Sequence, residues 1–213
     1  MIQDIAIYGA GGLGREMALM IQQINKVSNQ WHIIGFFDDG LNRNNKVDNW
    51  IVLGGLTEAN VWDRKLALVL AIADSHVRFK LAEQLINPQL SFPTLIHPSC
   101  NTGSEQNQFG KGVLLAANVV LTTNIKLEDF VIVNLATTIG HDVTIGKCSS
   151  IMPGCSISGN VKIGEKNQIG TGARFLQNIS IGDDSVVGAG AVVTKSFPAN
   201  SRLIGVPATN FEK

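Results

Sequence analysis

The sequence predicts two bodies in series: an α/β, Rossmann-like half domain over residues 1–93, then a left-handed parallel β-helix of hexapeptide repeats over residues 94–213. Three observations carry this. From Phe109 to Val193 the chain reads in sixes without a frame slip, with Leu, Ile, Val or Phe in the first place of every hexad. Near the start, Gly9-Ala10-Gly11-Gly12-Leu13-Gly14 follows a short apolar run and precedes a helical pattern. Between the two, Pro88, Pro93 and Pro98 fall within eleven residues. Proline biases its predecessor away from helix, so this cluster marks a boundary, with the coil starting after it.

A period of six fits neither an amphipathic helix nor an alternating strand. It fits a coil in which each hexad gives one short strand and three hexads give one triangular turn. The first-place residue points inward, and a small or β-branched fifth residue fills the corner beside it. Residues eighteen apart then stack in columns. Gly103 to Gln108 reads as a degraded end repeat, and Ser196 to Lys213, with Pro198 and Pro207, as a surface tail.

In the first half, Ile5 to Tyr8 is a strand. The glycines at 9, 11 and 14 make a G-x-G-x-x-G turn, which lets a ligand's phosphates approach free N–H groups at a helix start. Arg15 to Ile24 is the helix, with Met17, Leu19, Met20, Ile21 and Ile24 as its apolar face. A second strand, Trp31 to Phe37, ends in Asp38-Asp39, whose carboxylates can accept hydrogen bonds from a ribose or sugar hydroxyl. A third strand, Leu66 to Ile72, is almost continuously apolar and so buried on both faces. Asp74 to Leu85 is a helix opened by Asp74 or Ser75 as N-cap. About 90 residues suffice for one mononucleotide-sized half of a dinucleotide fold, not for both.

Composition narrows the function. The 213 residues carry a net charge of +0, which gives no global attraction for nucleic acid or an anionic membrane. No apolar run is long enough to cross a bilayer. MIQDIAIYGAGG lacks the basic flank and longer apolar region of a signal peptide, and the three cysteines form no CxxC pair. A cytoplasmic protein with reduced thiols is expected. Cys155, in a fifth place, is expected to be a core filler.

Of four histidines only His141 lies in the repeat, in the third place of its hexad, where a side chain points outward. Asp142 follows and could orient the ring. Neighbours on one strand face opposite ways, so that pairing requires a bend. The column through His141 runs Thr123, His141, Gly159, Gln177, Lys195. Gly159 is one coil away, where its N–H could meet an oxyanion. Lys195 is three coils away, roughly 14 Å at the strand spacing. A long thin ligand lying along the coil, with its reactive end at His141 and phosphates near Lys195, has the shape of an acyl-coenzyme A. Zinc hydration chemistry of the carbonic anhydrase kind also uses left-handed coils but needs several histidine ligands. One histidine in the coil points to no metal.

The combination of IYGAGGLG, IHPS, IVNLATTIGHDVTIG, ISGNVKIG and a closing GVPA resembles one branch of the hexapeptide acyltransferases. That branch holds the NeuD-type sialic acid O-acetyltransferases and the nucleotide-amino-sugar N-acetyltransferases used for bacillosamine and perosamine. The resemblance runs through both halves in order. It implies an acetyl-CoA-dependent enzyme acting on a nucleotide-linked amino sugar bound by the first half. It further implies a homotrimer with active sites between subunits. It places the catalytic base on His141 and its acidic partner on Asp142. Substrate contacts fall on Gly11, Gly12, Leu13, Asp38, Asp39 and Ala73, and acetyl-CoA contacts on Ser150, Gly159 and Thr171. Some relatives carry histidine at the position of Ser150. Transfer to a sugar hydroxyl, or a non-catalytic nucleotide-sugar scaffold that would have no need of His141 and Asp142, are the alternatives. Serine acetyltransferases share the coil but have a helical first half, unlike this chain.

Overall fold

The computed structural model describes residues 2–211. The first part is a six-stranded sheet with helices on its two faces. Its elements are β1 (Gln3–Tyr8), α1 (Gly12–Val27), β2 (Trp31–Phe37), β3 (Lys46–Val47), β4 (Trp50–Gly54), α2 (Leu56–Asn60), β5 (Leu66–Leu70), α3 (Ser75–Gln84) and β6 (Leu90–Ser91). The order across the sheet is β3-β4-β2-β1-β5-β6. β1 pairs parallel with both β2 and β5, and only the β3–β4 edge is antiparallel. All five residues of β5 are buried, as a strand covered on both faces must be.

The helices follow the expected pattern with shifted ends. α1 starts at Gly12 rather than Arg15, and Met17, Met20, Ile21 and Ile24 are buried. Leu19, expected on that apolar face, is instead 54% exposed, one residue off the buried stripe. α3 is capped by Asp74, whose carboxylate accepts from the N–H groups of His76 and Val77, both at 2.9 Å. β3, β4 and α2 had no clear signal in the sequence; they are short and lie at the sheet edge.

The coil is a three-walled prism with parallel strands. Registers run in steps of eighteen: Leu121, Ile139, Ile157, Phe175 and Val193 on one wall; Leu127, Ile145, Ile163 and Ile181 on the second; Leu115, Val133, Ile151, Ile169 and Val187 on the third. These first-place residues form the coil core with fifth-place residues such as Val131, Val143, Cys155 and Ala173. Cys155 is fully buried.

The corners turn at the fourth place. Every fourth-place residue from Gly112 to Gly190 has positive φ. Glycine or asparagine takes eight of these fourteen positions, which is the usual solution in the left-handed region. Phe130, Ala136, Asp142, Cys148, Lys166 and Asp184 take the rest at φ 54–60°. Corner N–H groups close onto the coil before, as in Ala136 N–H to Ala117 O at 3.0 Å and Asn160 N–H to His141 O at 2.7 Å. In the six corners without glycine or asparagine this bond helps to hold the left-handed conformation.

The coil is longer at both ends than the hexad pattern. It begins at Leu95-Ile96, which pairs with Leu114-Leu115, so Pro98 sits inside the first turn and not before it. At the other end the expected surface tail is a cap. Arg202–Ile204 pairs with Val186-Val187 and folds back on Thr209-Asn210. Leu203 and Ala208 are buried there and close the core; Glu212 and Lys213 lie outside the described residues.

The two parts meet in two shared clusters, one on each face of the sheet. Leu114 and Ile132 occupy sixth places, where a coil residue usually meets solvent. Here both are 2% exposed and pack with Ile7, Met17 and Met20 beneath the sheet. Burial of this kind stabilises by about 1.5–3 kcal/mol per side chain. Phe130 and Cys148 join the cluster on the sheet's other side with Tyr8, Leu68, Leu70 and Leu81. At the junction Arg78 of α3 is fully buried. Burial pushes its guanidinium down to about 10, which leaves it charged at neutral pH.

Ala136→Gly tests the corner geometry. Glycine normally lowers stability relative to alanine, but the left-handed conformation at φ 55° reverses the sign. A gain of about 0.5–1 kcal/mol is expected, after setting glycine's larger unfolded-state entropy against relief of the left-handed penalty. A lower urea midpoint for this variant would contradict it.

Candidate active site

One candidate centre lies on an edge of the coil. His141 follows the strand Thr138-Ile139 at a corner and is 61% exposed at its side chain. Asp142 is the corner residue, with φ 60°. This left-handed turn is the bend that the pairing required: it brings two neighbouring side chains to the same side. His141 Nδ1 lies 2.7 Å from Asp142 Oδ2. An ionised carboxylate can only accept, so Nδ1 carries a hydrogen and in the neutral ring the lone pair is on Nε2.

Asp142 is held in turn by Asn124, the fourth-place residue one coil before, whose amide donates to Oδ1 at 2.5 Å. That bond, then the one from His141, holds the Asp142 carboxyl below its ordinary value. The aspartate therefore remains an anion as the pH falls into the acid range. Asn124 was missed in the sequence, although counting eighteen back from Asp142 reaches it.

Gly159 lies against the imidazole. A Cβ there would overlap Nε2, Cε1 and Cδ2 of His141. Among the described residues its N–H donates no hydrogen bond. Coil and glycine thus supply a proton acceptor and a free backbone donor side by side.

The second candidate centre is in the sheet. Gly11, Gly12 and Leu13 start α1, Asp38 and Asp39 follow β2, and Ala73 follows β5, so all sit beyond the carboxyl ends of parallel strands. The four glycines between residues 9 and 14 divide by role. Gly9, at φ 101°, has no room for a Cβ beside Ala71 O and Ile72, and a Cβ on Gly14 would strike Gly9 O. Gly11 and Gly12 face open space and are exposed. No side chain caps α1, so its first-turn N–H groups are left for water or an anion.

Both aspartates build this site as well as line it. Asp38 accepts from Ala10 N–H at 2.8 Å and Gly40 N–H at 2.9 Å. Asp39 accepts from Tyr8 Oη–H at 2.6 Å and Leu56 N–H at 2.8 Å. Burial, then the bond to Asp39, pushes the Tyr8 hydroxyl far above its ordinary value, so it stays a donor. Tyr8, Gly9, Asp38, Asp39, Ile72 and Lys80 line a cavity of about 360 Å³.

The remaining expected residues are dispersed. Lys195 stands on the His141 edge with its Nζ 5.5 Å from the Phe197 ring centre. Thr171 is exposed on a different edge of the prism. Ser150 is fully buried, and its Oγ–H donates to Ala73 O at 2.7 Å while accepting from Arg78 at 2.8 Å. In this arrangement its hydroxyl both donates and accepts at the junction of the two parts.

The family described as "PglD N-terminal domain" matches residues 4–85, and "Bacterial transferase hexapeptide (six repeats)" matches residues 160–195. GDP-perosamine N-acetyltransferase of Escherichia coli O157:H7 is 30% identical over 154 residues, 72% of this chain and 69% of that protein. The acetyltransferase domain of PglB from Neisseria gonorrhoeae FA1090, solved with acetyl coenzyme A, is similar in structure. It has TM-score 0.89 and 29% identity, over 99% of this chain and 100% of that one. PerB from Caulobacter crescentus, solved with CoA and GDP-perosamine, gives TM-score 0.86 and 28% identity over 100% and 99% of the two chains.

Gly159→Ala is expected to turn the imidazole off Asp142 without disturbing the coil, since the atoms nearest the new methyl are those of the ring. The ring's NMR shifts should move and its bond to Asp142 should be lost, with melting unchanged. An imidazole signal identical to wild type would rule out the contact.

Proposed function

This chain belongs to the family of PglD-type, hexapeptide-repeat sugar N-acetyltransferases that includes GDP-perosamine N-acetyltransferase, and from that premise we propose that it moves the acetyl group of acetyl-CoA to an amine of a nucleotide-linked amino sugar. The observation that carries the reading is the His141–Asp142 pair, with the exposed imidazole beside Gly159. The amine attacks the thioester carbonyl and forms the new C–N bond. His141 Nε2 takes the amine proton as the bond forms. The N–H of Gly159 faces the oxyanion of the tetrahedral intermediate. The C–S bond then breaks and CoA leaves with the proton returned to its sulfur. No enzyme group need be acylated.

In this reading residues 1–93 bind the acceptor and residues 94–213 the donor. Gly11, Gly12 and Leu13 receive the diphosphate at the start of α1, with Asp38, Asp39 and Ala73 around the sugar. Thr171 and Lys195 border the CoA path. The His141 edge is convex and exposed, so a neighbouring surface must complete the pocket. A homotrimer supplies it. The coil wall that carries Val120 and Leu176, which the sheet leaves uncovered, offers apolar contact for that assembly. No described helix is long and apolar enough to cross a membrane, and both substrates suit the cytoplasm.

The founding test is acetyl transfer with UDP-, GDP- and dTDP-linked amino sugars. His141→Ala should keep fold and assembly and lose about 10²–10⁴-fold in rate at saturating substrates. Asp142→Asn should lose less, because the base remains. A His141→Ala rate within a few-fold of wild type would remove the general base from this mechanism.

Gly11→Val should weaken acceptor binding and leave acetyl-CoA affinity unchanged, because its side chain enters open space at the helix start. Equal loss of both affinities would make the turn structural. Sedimentation of the active protein should give three chains; an active monomer would refute the shared pocket.

A further inference from the structure

Arg78 has five N–H donors and meets five acceptors. Nε donates to Phe130 O at 3.0 Å. Nη1 donates to Ile72 O and, at 3.2 Å, to Ala73 O. Nη2 donates to Cys148 O at 2.7 Å and Ser150 Oγ at 2.8 Å. Two acceptors lie on the loop after β5 and three on adjacent turns of the coil. Ser150 Oγ–H then donates to Ala73 O at 2.7 Å, which closes the network. None of these partners is a carboxylate. An apolar side chain of similar volume could join the two layers without burying a charge. A planar fork does something that apolar packing does not: it sets the register and angle at which the layers meet.

The loop it holds is a wall of the acceptor cavity. Ile72 lines that cavity with Tyr8, Gly9 and Asp38, and its Cδ1 fills the space beside Gly9. We propose that Arg78, through Ser150 and the carbonyls of Ile72 and Ala73, is a positioning residue for the transfer reaction. It fixes the acceptor cavity in place and angle against the coil. This rests on the acetyltransferase reading above. Arg78 itself lines neither ligand site, and Tyr8, Gly9, Asp38 and Asp39 still line the acceptor cavity, so loss of the fork costs the alignment of donor and acceptor more than their binding.

Two variants test it in the full chain. Ser150→Ala removes only the hydroxyl bridge, and Arg78→Lys keeps the cation but loses the fork. With a nucleotide amino sugar that the wild type acetylates, Ser150→Ala should lose about 10- to 100-fold in kcat, the scale of a small misplacement of reactants. KM for both substrates should stay within about twofold. Unchanged kcat overturns the proposal. So does a raised KM for acetyl-CoA, which would mark a direct ligand contact at Ser150. If the wild type acetylates none of the sugars, the functional reading fails, and amide hydrogen exchange decides the positioning claim on the unliganded protein. Exchange over residues 70–79 should quicken in both variants while α1 and the coil stay as in wild type. Unchanged exchange at 70–79 overturns it; should Arg78→Lys not fold, Ser150→Ala alone decides.

Discussion

The left-handed corner at every fourth hexad position is the constraint on which the rest depends. It turns the chain after each two-residue strand, closes three strands into one turn, and so stacks residues eighteen apart. Once that step is set, side chains far apart in sequence become neighbours in a column. Gly159 lies under His141, and Asn124 reaches Asp142, for this reason alone. The same turn at Asp142 also points its carboxylate toward the preceding imidazole. A corner that serves the fold thus also makes the candidate base.

Six corners carry neither glycine nor asparagine, and four of them, Phe130, Ala136, Cys148 and Lys166, have side chains that do not favour this conformation. Their N–H bonds to the coil before hold them, and some have further roles. Phe130 and Cys148 enter the core shared with the sheet and offer their carbonyls to Arg78. Lys166 gives its carbonyl to Ser75 Oγ and its ammonium to Asp184 at 3.1 Å. The corners that depart from glycine and asparagine on this side are those where the sheet rests on the coil. The shared clusters and the buried fork join the sheet to a coil that also has a hydrophobic interior of its own.

The division of the glycine motif has a similar logic. Gly9 and Gly14 are glycine because the backbone leaves no room for a Cβ, whereas Gly11 and Gly12 border empty space. Residues needed by the fold alternate with residues that leave space for a ligand. Asp38 and Asp39 likewise fasten the turn and Tyr8 while facing the cavity. A cleft built by its own contact residues is already shaped before a ligand arrives.

The sequence by itself determined the parts that repeat or that obey local rules. Period six implied the three-walled coil, its inward first places and the column through His141; the strand–glycine–helix order implied the parallel sheet. These are short-range consequences of backbone sterics and burial. Tertiary structure decided what depends on contact between distant segments. Ser196 onward reads as a tail, yet Leu203 and Ala208 close the coil because an open end would leave its core wet. Leu114 and Ile132 look like surface positions until the sheet covers them. The burial of Ser150 against Arg78, seventy-two residues away, has no signal in the period of six. Those placements follow from which surfaces meet, and no local period in the chain encodes that.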